Sequence, residues 1–166
     1  YAICLIKKKI KLLFTKITSY RRDWRKQYMK KKYVIITCLV LLIWFFLDMI
    51  GVKFGDKYLV SQSFSEDGVF FIIYTILVLL FIFKEKIGKY VLNIWLFLWF
   101  ITQFFSHWYF TIIGQGLNKI EYFKSSIKLI KSTTGYIPDV YHIILHILII
   151  TSFISLNIYL LKKDKH

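Results

Sequence analysis

Four long apolar runs separated by short polar stretches organise the chain, at about 33–50, 68–86, 90–113 and 139–161. The third and fourth runs comfortably reach the roughly 20 apolar residues with which a helix crosses a bilayer. The first is at the margin. The second reaches the length by taking in Gly68 and letting Lys84 and Lys86 extend towards the headgroups. Lipid offers no partner to a backbone N–H or C=O, so these runs are expected to be helical despite their β-branched and aromatic content. Aromatic residues near the run ends, among them Tyr33, Trp44, Tyr90, Trp108 and Tyr159, suit the membrane interface. The pattern predicts an all-α, four-helix transmembrane bundle in residues 33–166, behind a basic segment 1–32.

Charge gives the bundle a direction. Residues 1–32 carry twelve Lys/Arg, the turn KEKIGK (84–89) three and the tail LKKDKH three. The two intervening loops, 51–68 and 114–139, carry six between them. Lys and Arg collect on the cytoplasmic side, so both termini are expected in the cytoplasm. Four crossings return the chain to the side on which it started, which agrees.

Composition supports this picture. Hydrophobic residues make up 57% of 166 residues, where soluble domains have about 45–50%. The net charge of +15 lies at the ends of apolar runs, as lipid requires, so nucleic acid is not an expected partner. Cys4 and Cys38 are far apart and lack CxxC spacing, so neither a disulfide nor a zinc–thiolate site is expected. The Lys/Ile/Phe-rich composition points to an AT-rich bacterial genome and the plasma membrane.

Two readings of residues 1–28 stand side by side. Met29 followed by KKKY is the start expected of a small bacterial membrane protein, which would make residues 1–28 an over-extended reading frame. The other reading is a basic amphipathic arm, KKKIKLLFTKI, lying on anionic lipid. In loop 114–139, Ile120, Phe123, Ile127 and Ile130 recur at roughly helical spacing, which predicts either a short surface helix or a solvated loop.

Ionisable side chains within spans are costly and are therefore functional suspects. The predicted direction brings several to the outer end. His107 lies roughly 9 Å along its helix from Ile113, and His146 about 10 Å from Asp139, at 1.5 Å per residue. Asp48 is near the outer end of the first span, and Glu66 and Asp67 precede the second. His142 and His146 are four apart and share a face, with Asp139 three before His142. Gln103 and His107 are also four apart, with Ser106 beside them.

Three imidazoles converging from two helices suit a divalent metal such as zinc, with His107, His142 and His146 as ligands. Asp48, Glu66 or Asp139 would then orient the ligands or act as acid or base. A b-type haem between His107 and His142 or His146 suits the adjacent His pair less well. Proton coupling would require a larger assembly. His107 together with His142-x3-His146 resembles the zinc site of ceramidase-like intramembrane hydrolases, with Asp139 and Ser106 in place of their Asp and Ser. The resemblance covers those residues alone; those enzymes have more spans. It implies a metal-dependent hydrolase acting on a lipid-like substrate. The alternative expectation is a non-catalytic subunit whose polar cluster serves helix packing or binds a partner membrane subunit. Each residue also has a plain structural role open to it. Asp139 after Pro138 suits a helix cap, Asp48 can face water, and a histidine near headgroups can serve as an anchor or helix-to-helix bond.

Overall fold

The structure, a computed structural model, describes residues 31–130, 132 and 135–163. Both readings of residues 1–28 lie outside the described residues.

Helix α1 (Lys31–Ile50) opens the bundle. A β-hairpin follows, β1 (Val52–Phe54) and β2 (Lys57–Val60), leading into α2 (Phe64–Phe83). After a break at Lys84 the chain continues as α3 (Glu85–Gln103), a π-helical turn (Phe104–Trp108) and α4 (Tyr109–Ile112). The short α5 (Leu117–Tyr122) precedes the last helix, α6 (Val140–Lys163). Four helices are long and apolar enough to cross a membrane, at Lys31–Ile50, Phe64–Phe83, Glu85–Ile112 and Val140–Leu161.

The four helices form a ring. In α1, Val34, Cys38, Leu41, Phe45 and Met49 recur at helical spacing and are buried. The opposite face, with Ile36, Ile43 and Phe46, is equally apolar but exposed. A helix apolar all round belongs in lipid or in a core. In lipid the inward face gains little from leaving its surroundings, so close packing and hydrogen bonds hold the helices together. Tyr74 of α2 donates its hydroxyl proton to the Cys38 carbonyl at 3.0 Å. Trp44 stacks on Tyr141 of α6 at 5.6 Å and donates to its carbonyl oxygen. Phe45 and Tyr74 both meet Trp99 of α3, at 4.8 and 5.2 Å.

The end of the bundle at Lys84 is tighter than a turn over 84–89. Only Lys84 leaves helical geometry; its N–H closes α2 on Leu80, and its carbonyl accepts from Gly88 in α3. Gly88 permits this, because a Cβ there would lie 2.5 Å from the Phe81 Cα. The second span accordingly runs Phe64–Phe83 rather than 68–86, and the third starts at Glu85 rather than near 90. The early start of α2 places Glu66 and Asp67 in its first turn, where the helix dipole favours carboxylates. At this same end Lys31 pairs with Glu85 at 3.1 Å, and Tyr159 donates to Glu85 at 2.6 Å, so α1, α3 and α6 are joined.

The opposite end, called here the hairpin end, holds two departures from expectation. Loop 51–68 contains the β-hairpin, turning at Gly55 (φ +58°), a conformation that glycine adopts without strain. In loop 114–139, helix forms among the described residues only over Leu117–Tyr122. Beyond it the chain pairs with β2: Tyr58 N–H donates to Ser125 and Ile127 N–H to Tyr58, each at 2.9 Å. The exposed edge of β2 offers unpaired backbone groups, and taking them up draws Ile127 out of helical register. The loop thus folds back as a cap over the bundle.

Candidate active site

Under this cap lies a cavity of about 310 Å³. Asp48, Glu66, His107, Asp139 and His142 all line it, and α1, α2, the π-helical turn, α5 and α6 each contribute to its wall.

Pro138 and Asp139 start α6. The Asp139 carboxylate accepts the His142 backbone N–H at 3.0 Å, an N-terminal cap that satisfies one orphan donor. The same oxygen accepts the His142 Nδ1–H at 2.7 Å. Asp139 is 2% exposed, so it holds the His142 ring by a bond shielded from water. The carboxylate can only accept, so this bond places a proton on Nδ1; in the neutral imidazole Nε2 then carries the lone pair. His142 itself is only partly buried and borders the cavity.

His107 arrives by a different device. The π-helical turn replaces the usual ladder with a wider one, in which Tyr109 N–H bonds to Phe104. Such turns cluster at functional sites because the extra residue redirects side chains. Here it buries His107, whose Nδ1 is hydrogen-bonded to the Tyr136 hydroxyl at 2.6 Å. The Lys119 ammonium donates to the Ser106 carbonyl within the same turn. Lys119 also lies over the Phe110 and Tyr136 rings, at 4.8 and 5.6 Å. Burial lowers the Lys119 ammonium from its usual range. Burial, and after it the Asp139 carboxylate, pushes the Tyr136 hydroxyl well above its ordinary 10.0.

The histidines gather without converging on a point. His107 and His142 stack at 4.0 Å between centroids with their planes 31° apart, so ring faces meet rather than nitrogen lone pairs. His146 lies a turn deeper, 6.0 Å from His107, and its Nδ1–H is spent on the His142 carbonyl at 2.5 Å. It does not line the cavity. Among the described residues no group of three or more His, Cys, Asp or Glu is arranged to hold a metal ion. The zinc expectation therefore gains no support from the geometry, because helical spacing sets which face a histidine occupies and not which ring edge it presents. A b-type haem between His107 and His142, the less suited alternative from the sequence, would need the space that their stacked ring faces occupy.

The two acidic side chains near the entrance divide. Asp48 is 5% exposed rather than facing open water, and it lies against Asp67 and Ser63. Glu66 is exposed and accepts from the Ser65 hydroxyl at 2.7 Å. Asp67, one residue on, is the carboxyl that turns inward: it lies beside Glu66 at the outer end as expected from the sequence, but of the two only Glu66 was nominated as a catalytic candidate. Tyr136 and Lys119 were passed over. They sit in a loop with no periodicity to betray them.

Comparison with known protein families, characterised proteins and solved structures found no match. The functional argument therefore rests on the site alone.

Proposed function

We propose that this chain is a multi-pass plasma-membrane hydrolase whose Asp139–His142 pair acts as a general base in an outward-facing chamber, on a lipid-like substrate. The observation that carries the reading is the 2.7 Å bond from His142 Nδ1–H to a buried carboxylate, with Nε2 left free beside a cavity. A carboxylate-oriented imidazole is the common proton acceptor of hydrolytic sites. The charge asymmetry of the loops supports an outward-facing hairpin end. Four apolar helices support delivery of substrate through the bilayer.

In this reading His142 Nε2 takes a proton from water as the water oxygen bonds to an ester carbonyl carbon. The ester C–O bond then breaks, and the imidazolium returns its proton to the departing alcohol. Ser63 and Ser106 also line the chamber and offer hydroxyls to orient the water. Asp48 and Asp67 add acceptors for a polar headgroup.

The test is hydrolysis of a panel of lipid esters by purified protein in nanodiscs, with His142→Gln and Asp139→Asn alongside. Turnover lost by about 100-fold or more in His142→Gln is expected, the scale of a missing general base. Equal turnover by wild type and His142→Gln ends the reading.

A packing role, as a non-catalytic subunit, is favoured by one observation. The His107–Tyr136 bond joins the cap to the π-helical turn and spends polar capacity internally. It is distinguished by a His142→Gln variant that unfolds more readily but changes no activity of the assembly.

A further inference from the structure

Beside the chamber, on the same hairpin end, lies a second recess of about 200 Å³. Lys57, Lys124, Lys128, Ser126, Ser132 and Ile120 line it. Ser126 belongs to both cavities, so the two share a wall. Topology does not account for these lysines. Retention signals for the cytoplasmic side lie at the opposite end, yet three of the six lysines on the two hairpin-end loops face this one recess.

The position of the lysines is set by backbone pairing. The paired Tyr58 and Ser126 bring the hairpin and the cap strand together, which holds Lys57 beside Ser126 and Lys128. Lys124 is neutralised by Glu121, three residues earlier. Lys57 and Lys128 therefore supply the excess positive charge, and the serine hydroxyls supply neutral donors. Ammonium groups and hydroxyls around a concave site form the donor set that binds a phosphate-type anion. Space equal to several waters, at about 30 Å³ each, accommodates such a group. The chamber next door is lined by four carboxyl groups, Asp48, Glu66, Asp67 and Asp139, and one ammonium, Lys119, so the recess is the more favourable of the two for an anion.

We propose that this recess binds the phosphate group of an amphiphilic substrate whose ester is presented to His142 in the adjoining chamber. The assignment to a substrate rests on the hydrolase reading; the anion site itself does not.

The experiment measures binding of short-chain phosphatidic acid, its uncharged diacylglycerol counterpart and inorganic phosphate to the full chain in nonionic micelles. Wild type, Lys57→Gln/Lys128→Gln, Lys84→Gln/Lys86→Gln and His142→Gln are compared. Binding of phosphatidic acid is expected to fall by at least about tenfold in Lys57→Gln/Lys128→Gln, the scale of one lost charge-assisted bond. The pair at the other end should leave binding unchanged, and so should His142→Gln. Retained binding in His142→Gln together with absent turnover in wild type would uphold the anion site while refuting the hydrolase. Binding of phosphatidic acid but not of inorganic phosphate assigns the site to a lipid headgroup; equal binding assigns it to a soluble phosphate. Binding of neither phosphatidic acid nor inorganic phosphate, or equal losses from both lysine pairs, overturns the proposal.

Discussion

Replacing Asp139 separates two roles that one oxygen performs. That oxygen accepts the His142 backbone N–H at 3.0 Å and its ring Nδ1–H at 2.7 Å. In Asp139→Ala both are lost. The cap contributes about 1 kcal/mol, and a partly buried ring N–H left without an acceptor costs roughly a further 1–3 kcal/mol. The expected destabilisation is therefore about 2–4 kcal/mol. Asp139→Asn keeps an acceptor oxygen, and Asn caps helices as well as Asp, so only the charge-assisted share is lost, up to about 1 kcal/mol. Unfolding titrations in mixed micelles measure the difference between the variants. Nitrogen NMR of histidine-labelled protein reads the tautomer, with the His142 proton on Nδ1 in wild type and displaced from it in Asp139→Ala. Equal stability of the two variants, with the His142 tautomer unaltered in both, would refute the claim that Asp139 orients this ring.

Three further outcomes follow from other contacts. Gly88→Ala should destabilise the bundle at the upper end of the roughly 1–3 kcal/mol range for overpacking, because the obstacle is Phe81 backbone; unfolding of this variant at the wild-type midpoint would contradict the close approach. Tyr136 is raised in the folded state, so unfolded chains bind fewer protons above pH 10.0 and stability should decline as pH climbs past that value. Tyr136→Phe should remove that part of the alkaline decline, and an unchanged pH profile would count against its burial. Metal analysis should find less than one zinc per chain, because the His107 and His142 rings stack; stoichiometric zinc that disappears in His107→Ala/His142→Ala/His146→Ala would restore the ligand reading.

The four long apolar helices were legible because lipid imposes a length and a composition on anything that is to cross it. The Asp139–His142 pair was legible too, since three residues after a helix-starting Pro-Asp is a short-range relation fixed by helix geometry. What spacing conceals is ring orientation. The sequence brings His107, His142 and His146 to one neighbourhood, but the stack of the first two depends on a π-helical turn that leaves no mark in the apolar pattern. The His107–Tyr136 bond spans 29 residues and a loop that lacks periodicity. The hairpin was within reach, because Phe54-Gly55-Asp56-Lys57 is a turn sequence between two short β-prone runs. It was masked by its brevity. Asp67 differs again: a choice between two adjacent carboxyls depends on the helix phase at α2, which starts earlier than its apolar run.

The central claim is a carboxylate-oriented imidazole with a free Nε2 in a chamber open to the outside, and histidine acylation tests it most directly. Intact cells and inverted membrane vesicles are treated briefly with diethyl pyrocarbonate, and modified histidines are located by peptide mass spectrometry. The account predicts rapid modification of His142 in intact cells, slower reaction at the buried His107 and His146, and suppression of the His142 reaction in inverted vesicles. Modification of His142 only in inverted vesicles, or no preference among the three histidines, would contradict it.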